Sequence, residues 1–413
     1  MTSVQEKFST AVSRLLEMKG SDIHIPCDQQ VSIRVHGRLS KIPMAFTPEE
    51  TKDLYAYLKQ NYLTGDQQRF ADERFSSLGH VGFSIEYKLP DGKIQRFRVN
   101  VSRQGEGYYT VLREIRDNPP PLTSLGFTER ALTGLRYVET RPAGLFLVVG
   151  STGSGKSTTL ASMIDEINSK KAVNIITLED PIEYRHKPKQ AQVIQRELGR
   201  DFPRFSEGLH SALREDPDVI LVGEIRDPSS FELCLKAAET GHLVFATLHT
   251  NDAITTIDRL ISMAGEGAEA YIRNRLSQVL LGVLAQRLAP RKDGEGRILV
   301  YELFIANTSA LNLIKEGKEE QIRALLDNLS FSNGQSLSES FNKNIIRLLK
   351  QGLISPDVAK VITNDLTDLV ERAKSDRDID PKIIRELESA GNFLAITETV
   401  PANSDFIVEE EEI

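Results

Sequence analysis

The chain has 413 residues, 51 of them Lys or Arg against 59 Asp or Glu, for a net charge of −8 with 40% apolar and 27% charged residues. That balance belongs to globular domains with cores of their own and excludes a fibrous or wholly disordered chain. Five negative charges, Asp405 and Glu409 to Glu412, crowd the last thirteen residues, so the body carries only about −3 and nucleic acid is not an expected partner.

Residues 3–19 read as an amphipathic helix, followed by extended runs at 22–27 and 31–38 and a helix from 48 to about 62. Three strand-like runs follow at 82–89, 93–103 and 108–115, and Pro90-Asp91-Gly92 joins the first two as a hairpin. This set predicts a small α+β domain over 1–117, and Asn118-Pro119-Pro120-Pro121 marks a linker over 118–124. The pattern then changes to short, nearly continuous apolar runs at 145–149, 173–178, 219–222 and 243–248, separated by helical segments at 157–169, 205–214 and 229–239. Such runs predict an α/β domain with a parallel sheet covered on both faces, extending over 125–370. From 252 onward the chain reads as mostly helical, with one strand near 298–304, and 371–413 reads as a charged flexible tail, disordered over 401–413. Cys27 and Cys234 cannot build a disulfide framework or a four-cysteine zinc site, which suits a reducing compartment. The first twenty residues carry Glu6, Lys7, Arg14 and Glu17 without an apolar segment, and no apolar run approaches membrane length. The expected location is cytoplasmic, with any membrane contact made through partners.

Gly150-Ser151-Thr152-Gly153-Ser154-Gly155-Lys156-Ser157, continued by Thr158, fits G-x-x-x-x-G-K-[ST] between a predicted strand and a predicted helix. The glycines let successive N–H groups curl around phosphate oxygens, Lys156 reaches the β- and γ-phosphates, and the Ser157 hydroxyl ligates Mg²⁺. ATP with Mg²⁺ is the expected bound pair. Asp218-Val219-Ile220-Leu221-Val222-Gly223-Glu224 has the form of a Walker B strand and delivers Glu224 to the C-terminal edge of the sheet. There it polarises the attacking water or holds the metal. Glu179-Asp180-Pro181-Ile182-Glu183 ends the intervening strand at the same edge; Glu179 and its neighbours either orient Mg²⁺ and its waters or simply close a strand. The run at 241–250 has a histidine near each end, and His249, between Thr247 and Thr250, is the one placed to sense the γ-phosphate. The remaining histidines lack metal-ligand spacing. In the small domain Phe97, Val99 and Val101 alternate with Arg96, Arg98 and Asn100, putting two exposed cations on a strand face that suits phosphate contact or plain solvation.

These blocks in this order resemble the secretion ATPase superfamily that powers type II secretion, type IV pili and type IV secretion. The likeness is carried by the Walker A string, the acidic box at 176–184, Leu213-Arg214-Glu215-Asp216-Pro217-Asp218 with the Walker B strand, and the histidine box at 237–250. Ser21-Asp22-Ile23-His24 and Arg96-Phe97-Arg98-Val99-Asn100 add to it, over roughly residues 10–360. Without a four-cysteine zinc module or a long N-terminal region, the chain is most similar to the PilT/PilU-like retraction branch. The resemblance implies a PAS-like N-terminal domain, a RecA-like ATPase domain and a homo-hexameric ring. It also implies that Arg98, in Arg-Val-Asn, and Arg113, in Val-Leu-Arg, complete the ATP site. An inner-membrane pilus platform protein and a paralogous pilus ATPase are the implied partners.

Three departures from the family pattern stand out: His210 replaces a basic residue, Leu311 replaces an arginine of the retraction motors, and the stretch Gly334-Gln335-Ser336-Leu337 replaces Gly-Met-Gln-Thr. The expected function is a motor that hydrolyses ATP to drive pilus retraction at the inner face of the cytoplasmic membrane. The alternatives are a type IV secretion (DotB-like) or pilus-assembly ATPase, an accessory subunit of a partner motor, and a nucleic-acid translocase, which the charge disfavours.

Overall fold

Helix α1 (Val4–Glu17) starts where Ser3 and Glu6 close a reciprocal capping box, and it buries Phe8, Ala11, Val12 and Leu15 along one face. The computed structural model describes residues 3–35, 38–115, 118–265, 267–294, 296–331 and 334–389. They divide into two compact units at Asn118 and Pro119, with 181–185 and 199–201 grouped with the first.

In the first unit, β1 (Asp22–Ile25), β2 (Gln30–Val35) and β3 (Arg38–Ala45) precede helices α2 (Pro48–Tyr62) and α3 (Gly65–Leu78). Strands β4 (His80–Lys88), β5 (Ile94–Gln104) and β6 (Gly107–Ile115) complete a six-stranded antiparallel sheet of order β3-β2-β1-β6-β5-β4. Ile23, Ile33, Phe97, Val99 and Leu112 from one sheet face join the helices in a single core. The expected hairpin forms, with Gly92 at φ +85° and Leu89 N–H donating to Lys93 O at 2.7 Å. Strand β3 and helix α3 go beyond the sequence expectation. Pro43 lies inside β3 and is tolerated because β3 is the edge of the sheet.

The second unit opens with α4 (Glu129–Thr140) and alternates β7 (Gly144–Val149), α5 (Lys156–Lys170), β8 (Asn174–Glu179), β9 (Gln192–Glu197), α6 (Phe205–Ala212), β10 (Val219–Val222), α7 (Pro228–Glu239) and β11 (Leu243–Leu248). Then come α8 (Ala253–Ser262), α9 (Glu269–Val279), β12 (Leu280–Pro290) and β13 (Arg297–Ile305). The seven strands run in the order β13-β12-β7-β11-β10-β8-β9, parallel except for β13, which is antiparallel to β12. Leu145, Leu147 and Val149 of β7 enter one core while Phe146 and Val148 enter the other. This is the two-sided burial that a continuous apolar run requires.

Helices α10 (Thr308–Lys315), α11 (Glu320–Leu325), α12 (Phe341–Lys350), α13 (Pro356–Ile362), α14 (Leu366–Ser375) and α15 (Pro381–Glu388) complete the unit. The segment 280–290, expected to be helical, is a strand. The stretch 371–389, expected to be tail, instead holds the end of α14 and all of α15, because Ala373, Ile379 and Leu387 bury apolar surface in the same core. The acidic segment 390–413 lies outside the described residues.

Strand β12 shifts register between Leu280 and Gly282, where a Cβ on Gly282 would stand 2.2 Å from the Phe304 carbonyl oxygen. Overpacking against backbone of this kind costs about 1–3 kcal/mol. Gly282→Ala is therefore expected to lower the unfolding free energy by that amount, read as a lower urea midpoint with an unchanged slope. Gly65→Ala, in open space at the start of α3, should leave the midpoint where it is.

Candidate active site

Strand β7 runs directly into a loop whose Gly150, Gly153 and Gly155 take φ of +143°, +77° and +95°. A Cβ on Gly150 would meet the Gln286 carbonyl oxygen at 2.3 Å, so space as well as conformation demands glycine there; at Gly153 and Gly155 conformation alone demands it. Gly155 is the N-cap of α5 and supplies no side chain to its first-turn amides, so the positive end of this helix is open to an anion. Lys156 Nζ donates to the carbonyl oxygens of Gly150 at 2.6 Å and Ser151 at 3.0 Å, which holds its charge against the loop. Ser151, Thr152 and Gly153 are exposed, Ser157 and Thr158 are half-buried, and Ser154 Oγ is buried without a hydrogen-bond partner. Behind the loop, Gln286 Nε2 donates to Thr159 Oγ1 at 2.8 Å.

Two strands away, β10 ends in a tight wedge. The Gly223 N–H donates to Leu178 O at 2.7 Å and the Ile225 N–H to Thr247 O at 3.0 Å. These bonds fix the backbone on both sides of Glu224. Arg226 Nε donates to Glu224 Oε2 at 2.7 Å, Arg226 also donates to Asp180 Oδ2 at 3.0 Å, and His249 Nε2 stands 3.3 Å from Glu224 Oε1. The His249 ring first, and the Arg226 guanidinium after it, hold the Glu224 carboxyl down to about 2 against the opposing effect of burial. Glu179 Oε1 accepts from Thr177 Oγ1 at 2.7 Å and from Gln195 Nε2 of β9 at 3.1 Å. Of the two acidic neighbours, Asp180 is the one that shares Arg226 with Glu224.

In the first unit, Arg98 and Arg113 stand opposite each other on β5 and β6. Arg98 is exposed and makes no ion pair among the described residues. Arg113 Nε donates to Asp22 Oδ1 at 2.6 Å. Arg96 corrects the expectation of two exposed cations on this strand: it is 6% exposed, lies across from Glu86 and comes within 4.0 Å of its carboxylate. Arg185, grouped with this unit, also pairs with Glu86, at 2.6 Å. Sequence reasoning missed Arg226, Asp22 and Gln286 as members of the site or its supports. Arg226 had a signal, since Gly-Glu-Ile-Arg puts a cation two residues from a carboxylate on an extended segment. Gln286 had none, because its strand reads as helix.

Residues 2–344 match the family model for "Type II/IV secretion system protein". The chain belongs to this family. It is 41% identical over 329 residues to the twitching motility protein of Neisseria gonorrhoeae, across 79% of this chain and 83% of that protein. It is 32% identical over 403 residues to the type IV pilus ATPase PilU of Pseudomonas aeruginosa, across 97% of this chain and 100% of that protein. The crystal structure of the pilus retraction motor PilT with bound ADP matches with a TM-score of 0.76 at 39% identity, over 88% of this chain and 98% of that one. In this secretion-family chain no helix among the described residues is long and apolar enough to cross a membrane, and no group of three His, Cys, Asp or Glu stands ready to hold a metal ion.

The depressed Glu224 carboxyl yields a pH prediction. A carboxyl lowered in the folded state adds stability above the ordinary value of 4.5, and that contribution fades as pH falls toward about 2. His249→Ala removes the larger of the two causes. The Glu224 midpoint, followed by carboxyl NMR, should move up toward the ordinary value, and the variant should lose less stability than the parent between those two pH values.

Proposed function

We propose that this chain is an ATP-hydrolysing motor that assembles as a homo-hexameric ring and powers type IV pilus retraction. The observation that carries this reading is a glycine-cradled, side-chain-free helix N-terminus at the same sheet edge as an ionised carboxylate, in a chain 41% identical to a twitching motility protein. The residues suit a nucleoside triphosphate: Gly150 through Thr158 form the cradle, and Lys156 turns from the loop carbonyls to the β- and γ-phosphates. Mg²⁺ would neutralise phosphate charge there, held by the Ser157 hydroxyl and Glu224 alongside the phosphate oxygens.

Glu224 orients the attacking water. Held ionised by the His249 ring and the Arg226 guanidinium, the carboxylate is suited to positioning, which fits a loose phosphoryl-transfer transition state that needs little covalent help. His249 steadies the carboxylate and reads the γ-phosphate. Glu179 keeps the β8 end in place, and Arg98 and Arg113 stabilise charge on the transferred phosphoryl group. The ring works at the inner face of the cytoplasmic membrane through a pilus platform protein and a paralogous pilus ATPase. A second reading is an accessory subunit in a partner motor's ring.

Glu224→Gln should keep nucleotide binding and lower turnover by about two orders of magnitude or more, whereas Lys156→Ala should weaken binding itself. Near-parental turnover in the glutamine variant would refute the Glu224 assignment. In a deletion strain, retraction requires excess surface pili and lost twitching; absent pili would indicate assembly and unchanged pili a secretion role. An accessory subunit would show little ATPase activity when purified and gain it on mixing with the partner motor.

A further inference from the structure

Ser21-Asp22-Ile23-His24 takes no direct part in the chemistry above, yet Asp22 occupies the middle of the first unit's sheet beside a residue that does. Asp22 faces Arg34 on β2 and Arg113 on β6, and Arg113 in turn faces Arg98 on β5. The four residues form one row across the strands. Asp22 is 2% exposed, and both carboxylate oxygens are engaged. Oδ1 accepts from Arg113 Nε at 2.6 Å, Oδ2 accepts from Ser21 Oγ at 2.6 Å, and Arg34 Nε stands 3.9 Å from Oδ2.

The side chain of Arg113 is 59% exposed while that of its partner carboxylate is 3% exposed. An exposed arginine ordinarily samples many rotamers. Here the buried end of the pair is fixed by β1 and by Ser21, so the guanidinium plane is fixed with it. The fork has five N–H donors in rigid geometry, and Nε is the one Asp22 occupies. The terminal nitrogens are left to meet an oxyanion.

We propose that Asp22 is a positioning residue for ATP hydrolysis, holding Arg113 by Nε so that its terminal N–H groups meet the phosphate oxygens already oriented. The proposal rests on the reading that Arg113 acts on the nucleotide. It divides the labour of the row: Arg113 is preset, and Arg98, with no ion pair among the described residues, adjusts. A preset donor costs no reorganisation when charge develops on the phosphoryl group, so losing the preset lowers kcat more than it raises KM.

The test is steady-state ATPase kinetics on the assembled full-length protein, with nucleotide affinity measured separately. Asp22→Asn should lower kcat by about 10- to 100-fold with KM within about 3-fold, and Arg113→Ala should lower kcat by about 10³-fold. The double variant should be no slower than Arg113→Ala alone, because Asp22 acts through Arg113. Additive losses, or a loss confined to KM, would overturn the proposal. Parental kcat in Asp22→Asn beside an impaired Arg113→Ala would also overturn it, while leaving Arg113 its role. Parental kcat in Arg113→Ala would instead overturn the reading beneath it. Arg113→Lys keeps a cation next to the buried carboxylate and so spares the fold, but a lysine has a single nitrogen and cannot be held by Asp22 at one nitrogen while presenting a separate, preset fork to the phosphate. Should Asp22→Asn fail to fold, a kcat loss in Arg113→Lys close to that of the alanine variant supports the proposal, and parental kcat in it overturns the proposal.

Discussion

A strand buried on both faces can present polar chemistry only at its ends, and the second unit is organised by that constraint. Strands β7, β10 and β11 have no exposed residue, and they lie side by side in parallel register. Their C-terminal ends therefore meet at one edge of the sheet. The phosphate loop follows Val149, Glu224 stands two residues beyond Val222, His249 follows Leu248, and Glu179 is the last residue of β8. Sequence blocks distributed from residue 150 to residue 249 are assembled by nothing more specific than apolar continuity in four strands.

The same constraint explains what could be read from the sequence. Val219 to Val222 is an unbroken apolar run and Leu243 to Leu248 is broken only by Thr247; both are too short for helices, so the strands and the edge they share were legible. Strand β12 was not. Leu-Ala-Gln-Arg-Leu-Ala is built of good helix formers, and only its place between β7 and β13 makes it a strand, through a bulge that glycine at 282 permits. Helix α3 gave little signal because just Ala71 and Phe75 of its fourteen residues are buried. Strand β9 has five of six residues at least partly exposed, so apolar runs could not reveal it. Within the site, the residue types were legible but their pairings were not. The string Gly-Glu-Ile-Arg-Asp announces a carboxylate and a cation, whereas the bridge from Arg226 to Asp180 depends on how the ends of β8 and β10 align.

Both units use a carboxylate to set the position of an arginine, with opposite consequences. In the first unit the carboxylate is the buried member and the cation the exposed one, so the pair delivers positive charge outward. In the second, Arg226 is the more exposed member at 49%, and it covers a Glu224 carboxylate that is 23% exposed. There the arginine occupies one carboxylate oxygen, Oε2, and His249 stands beside the other. Breaking a partly buried pair of this sort is costly unless a new partner replaces the lost one. The Arg226 pairing thus keeps Glu224 partnered, and any group that displaces the guanidinium must take over its hydrogen bond.

The segment after His249 is held as firmly as the strand before it. Asp252 caps α8 by accepting from the Thr255 N–H at 2.8 Å, and Arg323 of α11 stands 3.4 Å from the same carboxylate oxygen. Next to it the Ala253 N–H donates to Glu302 of β13 at 3.0 Å, a carboxyl that burial pushes up to about 7. Arg287 of β12 stacks on Phe341 and hydrogen-bonds to Ile362 O and Asn364 beyond it. The histidine loop is thus bounded by a buried hydrogen bond to Glu302 of β13 and by an ion pair to the exposed Arg323 of α11, of which only the second is open to screening by salt. A buried donor or acceptor that loses its partner costs far more than a surface pair does. Any rearrangement at His249 must therefore carry the start of α8 with it or break these bonds. That requirement ties the sheet edge at His249 to the C-terminal helices through packing, hydrogen bonds and one ion pair.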